Sequence, residues 1–343
     1  MAMTARTVPR LEDVARRAGV STATVSRCLN EPQRLRAETR ERVEAAIEAL
    51  GYVPHFGGQA LASNRTNTIG AIIPTMENAI FARGLQAVEE TLAAAGVTLL
   101  LASSAYDPAR EAEQARALLR RGVDGLLLIG AARPQATYDL IARHRRPLVL
   151  AWTLGPAAGA ACVGFDNRKA ARDLAALVLE HGHRDVAMIA GVTAWNDRAA
   201  ARIAGVRDAM EARGLALAPE RLVEAPYAIE AAERAFSDLM APAARRPTAV
   251  ICGNDVLAAG AIKAARAMGL RVPQDVSITG FDNLDLAEVV PPGVTTAKVP
   301  HRRMGRQAAE TLLALRDGKR PPQFDALAVA IEVRGSLSHP PAR

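Results

Sequence analysis

The segment "NDRAAARIAG" carries two arginines one helical turn apart, so Arg198 and Arg202 share one face of a helix. A guanidinium in such a place can clasp a carboxylate or phosphate bidentately. Asp166, Asn254 and Asp282 each follow an apolar run and can accept from, or donate to, hydroxyl groups. Thr75 adds a hydroxyl, and Phe81, Trp152 and Tyr227 offer aromatic faces to a ring or carbon chain. The chain is only 3% aromatic, so any aromatic beside a pocket is informative. Together these residues have the chemistry to hold a small polyhydroxylated molecule. Each also has a plainer alternative. Asp282 can cap a turn, Arg202 can pair with an acidic neighbour, and Trp152 and Phe165 can fill cores.

A second constellation lies near the start, in "PRLEDVARRAGVSTATVSRCLN". Leu11, Val14, Ala15 and Ala18 give a first helix an apolar stripe, and Gly19 suits its C-terminal stop. Ser21 can cap a second helix, Thr22 to Leu29, whose Val25 and Leu29 face inward. A third helix follows in "RAETRERVEAAIEALGY", with Val43, Ile47 and Leu50 inward and Gly51 as stop. Helix, glycine turn, helix and bracing helix is the helix-turn-helix pattern. The outward face of the second helix holds Thr22, Ala23, Ser26 and Arg27. Arg27 suits guanine O6 and N7, and Thr22 and Ala23 offer small surfaces to a thymine methyl. Ser21 and Thr24 carry hydroxyls suited to phosphates.

The elements behind the first constellation repeat. "TIGAIIPT" (68–75), "DGLLLIGAA" (124–132) and "PLVLAWT" (147–153) read as apolar strands. "DVAMIAGV" (185–192), "TAVICGNDV" (248–256) and "DVSITGFD" (275–282) match them in turn, with amphipathic helices between. Alternating strand and helix predicts two parallel sheets, each covered on both faces. Strand C-termini then form two crevices facing one cleft.

Composition narrows the rest. The chain has 343 residues, half of them apolar, with net charge +7 and pI near 9.8. A basic balance permits nucleic-acid binding without requiring it. Cys28, Cys162 and Cys252 are far apart, and no Cys/His metal spacing or cofactor motif occurs, so no metal and no cofactor are expected. No apolar signal core or membrane-length run is present, which predicts a cytoplasmic, nucleoid-associated protein with no membrane partner. There is no GxSxG elbow, Walker loop, HExxH or strand-linked GxGxxG, so no enzyme is expected. His55, His144, His181, His183, His301 and His339 are mostly flanked by Arg or Gly and are expected at the surface. A solute-binding or sugar-processing protein would share the body, but a solute-binding protein would not carry the head.

"LEDVARRAGVSTATVSRCLN", "RAETRERVEAAIEALGYVP" and the repeated body together resemble the lactose-repressor (LacI/GalR) family of bacterial transcription regulators, almost end to end. The resemblance implies a helix-turn-helix domain at 1–54, a hinge helix at 55–67 and a periplasmic-binding-protein-like body at 68–343. The first lobe would span about 68–165 and 298–325, and the second about 166–297 and 326–343. Crossings would fall near Gly164–Asn167, Thr296–Pro300 and Asp325–Ala328. The family's base-reading positions fall on Thr22, Ala23 and Arg27. Its phosphate positions fall on Ser21, Thr24, Asn30, Thr39 and Tyr52, and its minor-groove wedge on Leu61. Its ligand positions match Phe81, Asp166, Arg202, Tyr227, Asn254 and Asp282.

The resemblance also implies repression of palindromic operator DNA under the control of a small effector. Trp152 stands where several sugar- and purine-binding relatives carry Asp. Ile80 precedes Phe81 where purine-binding members have an aromatic. With "VGFDN" and "VPHRRMG", these features resemble the gluconate-type branch and point to a sugar or sugar acid rather than a nucleoside or purine co-repressor. The ending "EVRGSLSHPPAR" has no heptads, which predicts a homodimer and no tetramer. "HFGGQALAS" aligns with the family's hinge helix, which by the resemblance orders on operator DNA; Gly57 and Gly58 each cost a helix about 1 kcal/mol relative to Ala, so dimer pairing and DNA must supply the difference, and a plain flexible linker is the alternative.

Overall fold

The computed structural model describes residues 8–53, 65–77, 79–155, 159–241 and 246–342. The chain divides into two compact units, Met1–Thr66 and Asn67–Arg343.

The first unit is helical: α1 (Leu11–Ala18), α2 (Thr22–Asn30) and α3 (Ala37–Leu50). Val14, Val25 and Val43, one from each helix, are fully buried against one another's helices with Ala15, Ala18 and Ala46. Gly19 (φ 65) and Gly51 (φ 61) end α1 and α3 in the left-handed conformation that glycine adopts without a Cβ penalty. Ser21 caps α2, its Oγ accepting from the Thr24 amide at 3.2 Å.

The second unit contains two sheets. The first joins β1 (Thr68–Ile73), β2 (Thr98–Ser103), β3 (Gly125–Ile129), β4 (Leu148–Ala151) and β5 (Ala161–Val163) in the order β2-β1-β3-β4-β5, all parallel. Its helices are α4 (Ala82–Ala94), α5 (Pro108–Arg120) and α6 (Gln135–Arg143). After α7 (Asn167–Glu180), the second sheet joins β6 (Val186–Gly191), β7 (Leu222–Ala225), β8 (Ala249–Cys252), β9 (Ser277–Phe281), β10 (Thr295–Lys298) and β11 (Ala330–Glu332). Its helices are α8 (Asp197–Glu211), α9 (Ile229–Met240), α10 (Asp255–Ala267) and the short α11 (Asp285–Val289). The order is β11-β10-β9-β8-β6-β7, parallel except for β11, which runs antiparallel to β10. Read from β7, the second sheet repeats the order of the first, so the internal repeat in the sequence is a repeat of topology. The six predicted strands are all present. β2, β5, β7, β10 and β11 are additional, and β2 escapes an apolar-run reading because it is a half-exposed edge.

The last long helix, α12 (His301–Arg316), leaves the second sheet and packs beside α4 on the first. Small residues permit the approach: a Cβ on Gly305 would run into the Gly84 carbonyl. His183 and His301 are buried rather than at the surface (0% and 3% exposed), because each is held by partners on both ring nitrogens. Among the described residues no helix is long and apolar enough to cross a membrane.

The Gly84–Gly305 contact gives a stability prediction. Gly305→Ala forces the two helices apart, and overpacking of this kind costs about 1–3 kcal/mol. Urea unfolding of the variant is expected to show a lower midpoint with an unchanged slope. An unchanged midpoint would mean that the helices are not in contact there.

Candidate ligand cleft and DNA-reading face

In the head, Thr22, Ala23 and Arg27 are exposed on one side of α2, and Arg27 makes no ion pair among the described residues. Ser21 is exposed, and its hydroxyl lies 2.9 Å from that of Thr24; Thr39 is half-buried. Tyr52 differs from expectation. It is only 7% exposed and packs into the three-helix core, so its first role is structural. Asn30 ends α2. Leu61, Gly57, Gly58 and most of the predicted hinge lie outside the described residues.

In the body, the strand ends deliver a set of interlocked side chains. Arg202, on α8, is the centre. Its Nε donates to Asn167 Oδ1 at 3.0 Å, its Nη1 to the Gly253 carbonyl at 2.7 Å and its Nη2 to Asp282 Oδ1 at 3.5 Å. The guanidinium carbon lies 3.8 Å over the Phe281 ring. The Arg202 and Asp282 side chains are 6% and 1% exposed, so this is a buried pair, the plainer alternative raised for Arg202. Arg198, one turn earlier, pairs with Asp197 at 3.1 Å. Asp197 Oδ2 also accepts from the Ala131 amide and the Thr153 hydroxyl, both at 3.0 Å, tying the N-terminus of α8 to the first sheet's loops.

Asn254 caps α10, its Oδ1 accepting from the Leu257 amide at 2.9 Å. Asn254 Nδ2 and Asp282 Oδ2 are buried with no partner. A buried polar atom in that state costs about 1–3 kcal/mol, and function is a common reason for retaining it. Asp255 accepts from Thr296 Oγ1 at 2.6 Å and the Leu284 amide at 2.7 Å. Burial, reinforced by the Asp282 charge, pushes its carboxyl pKa up to about 7.

Of the expected ligand residues, Thr75 and Tyr227 line a cavity of the cleft, whereas Arg202, Asn254, Asp282, Asp166, Phe81 and Trp152 are not in its wall. Phe81 and Trp152 are buried in the first lobe (3% and 1% exposed), edge to face at 5.4 Å. Trp152 has φ 61, and this left-handed turn at the end of β4 seats the indole against Gly84, where no Cβ intrudes. Phe165 is likewise core, stacked 6.1 Å from Phe281. Asp166 is exposed and caps α7, accepting from the Lys169 amide at 2.8 Å. Its neighbour Asn167 does the bridging instead, from the Trp152 carbonyl (3.1 Å) to Arg202.

A cavity of about 360 Å³ does lie between strand ends of the two lobes. Thr75, Glu77 and Tyr106 come to it from the first lobe, and Trp195, Asn196 and Tyr227 from the second. Tyr227 leans over Gly191, and its ring is 6.1 Å from that of Tyr106. A neighbouring cavity of about 530 Å³ shares Glu77 and Tyr227 and is bordered by Arg83 and Asp285, which pair with each other. Tyr106 and Trp195 are missing from the expected set. Their signals were present: each is an aromatic just past an apolar run, in "LLLASSAY" and "MIAGVTAW". Burial raises the Tyr106 pKa, so the phenol stays protonated and can donate.

The Bacterial regulatory proteins, lacI family model matches residues 10–55, and a Periplasmic binding protein-like domain matches 175–337. The HTH-type transcriptional repressor PurR of Erwinia tasmaniensis is 37% identical over 88% of this chain and 89% of its own length. The chain belongs to the LacI family. It is a DNA-binding transcriptional repressor with a small-molecule effector domain, and not an enzyme. The repressor CytR of Escherichia coli is 33% identical over 91% of both chains. A solved complex of the transcriptional regulator CelR with cellobiose superposes with a TM-score of 0.70 at 28% identity, covering 96% of this chain and 99% of that one.

The Arg202 geometry yields a second prediction. Arg202→Ala leaves Asp282, Asn167 and the Gly253 carbonyl without their donor, and breaking a buried pair from one side costs about 3–5 kcal/mol. Thermal unfolding is expected at a clearly lower temperature. A melting temperature equal to that of the parent would show that Arg202 is held only loosely.

Proposed function

We propose that this repressor acts as a homodimer on palindromic operator DNA and that its effector is a neutral, polyhydroxylated ring compound, a sugar, held in the cleft. The reading rests on the cavity of about 360 Å³, walled by Tyr106, Trp195 and Tyr227 with Thr75 and Asn196 beside them. Aromatic rings cover the C–H faces of a sugar, while hydroxyl and amide groups meet its edge. Both buried arginines already carry an acidic partner, and Glu77 borders both cavities. A sugar acid would have to break an internal ion pair to find a cation, which argues against the anionic half of the expectation. A nucleoside is the second reading, favoured by three aromatic rings converging in a chain that is 3% aromatic. Base contact is assigned to Thr22, Ala23 and Arg27, and phosphate contact to Ser21, Thr24, Asn30 and Thr39.

A thermal-shift panel of neutral sugars, sugar acids and nucleosides tests the effector. A ligand at a hundredfold excess over its Kd stabilises by about 2.7 kcal/mol. Neutral sugars are expected to raise the melting temperature and sugar acids to leave it unchanged. A shift with sugar acids alone would refute the neutral-site reading, and a shift with nucleosides alone would select the second. For DNA, Arg27→Ala is expected to weaken operator binding by about 1–3 kcal/mol and to leave binding to random duplex nearly unchanged. Equal loss on both would reduce Arg27 to a phosphate contact.

A further inference from the structure

His301 is the first residue of α12, just past the crossing from β10, and it is 3% exposed. Its Nδ1 faces the Trp152 indole N–H at 3.3 Å, and its Nε2 faces the Asp282 carbonyl at 3.1 Å. The indole only donates and the carbonyl only accepts. The imidazole must therefore be neutral, with its proton on Nε2. At one end of this bridge, Asp282 has φ 99 and Asn283 φ 54, two successive side-chain-bearing residues in the left-handed region. That backbone is strained and needs holding. The Asp282 carboxylate reaches Arg202. At the other end, the Trp152 indole sits between α12 and Gly84 of α4, so no gap separates the bridge from that helix.

We propose that His301 is a positioning residue that ties the strained Asp282 turn of the second lobe to the Trp152 seat under α4, so that changes at Asp282 reach the first-lobe helix pair α4–α12 mainly through its neutral imidazole, beside the contacts of Arg83 on α4 with Asn283 and Asp285 and the path through Arg202 and Asn167. The link to effector control rests on the cleft reading above; the tie itself does not. Neither the expected binding residues nor the apolar pattern marks this histidine. The charged groups that act on it are Asp282, Arg202 and Arg83. Burial lowers its pKa more than Asp282 raises it, with Arg202 and Arg83 adding to the lowering. The bridge is therefore intact at neutral pH and breaks on acidification. Protonation places a second donor against the indole N–H.

The chain has two tryptophans, so Trp195→Phe leaves Trp152 as sole reporter. In that background, Trp152 emission is expected to stay constant around neutral pH and to titrate only as pH falls below about 6.5, the ordinary histidine value, because burial lowers the His301 pKa. The same emission should be flat in His301→Leu. Asp282→Ala is expected to speed amide exchange in α4 by at least about fivefold when His301 is present, and by less than about twofold in the His301→Leu background. His301→Gln, whose amide can both accept and donate, should restore the larger response. A pH-independent emission, or an Asp282→Ala effect on α4 that survives His301→Leu, would overturn the proposal. Both measurements use effector-free protein, so failure to find an effector leaves them valid.

Discussion

A guanidinium carried into a protein interior loses its hydration, and only dense, well-aimed partners offset that loss. Arg202 meets this constraint with an amide oxygen, a main-chain carbonyl, a carboxylate and an aromatic face. The four partners belong to three places in the chain: the start of α7, the residue after β8, and the end of β9 with the turn that follows it. Satisfying one side chain thus fixes α8 against two strand ends and the crossing from the first lobe. Asn167 extends the reach by holding the Trp152 carbonyl at the end of β4. The cleft geometry depends on this hub.

The strand ends around the hub share a backbone feature. Ala105, Tyr106, Trp152, Trp195, Asp282 and Asn283 all have positive φ without being glycine. Each such residue costs about 1–3 kcal/mol and persists only where its surroundings over-determine it. Here the surroundings are visible. Trp152 is wedged at Gly84, the Asp282 carbonyl is held by His301, and Asn283 Oδ1 accepts from Arg334 at 2.8 Å. Reversing φ at a strand end swings the side chain to the opposite side of the turn. Tyr106, Trp195 and Trp152 share a positive φ, so the space beyond the turn decides the rest: the first two face the cleft, and Trp152 enters the core seat at Gly84.

This explains what the sequence revealed and what it hid. The three-helix head was legible from its stripe of Val14, Val25 and Val43 and from glycines at both helix stops, because periodicity and caps are local properties. The repeat of apolar runs predicted two sheets because strands buried on both faces need continuous Val, Ile and Leu. Tyr227, Asn254 and Asp282 lie just past strand ends, as expected, and Arg202 lies on α8 one turn after Arg198. Phe81 and Trp152 were assigned to the ligand and proved to be core, since φ sign and the open seat at Gly84 leave no periodic trace. Asp197 was passed over for the same reason. Its importance comes from a partner 66 residues away. His301 looked like a surface histidine between a proline and two arginines, and only the packing of α12 on α4 buries it.

The pairing of charges inside the cleft bears on selectivity as well as stability. Arg198 with Asp197, and Arg202 with Asp282, present dipoles rather than net charge to anything that enters. A carboxylate ligand would lose its own hydration and gain only what remains after an internal partner is displaced. A neutral hydroxylated ring loses less hydration, and its hydroxyls can meet Thr75 and Asn196 in the cavity wall without breaking a pair. Discrimination between the two then comes from leaving a charge uncompensated, which is more costly than a missing contact. Because Asp282 belongs both to the internal pair and to the His301 bridge, a shift of its turn alters the strength of both. That double membership lets recognition in the cleft bias the first lobe without any large rearrangement. Allosteric control requires only such a differential between two states.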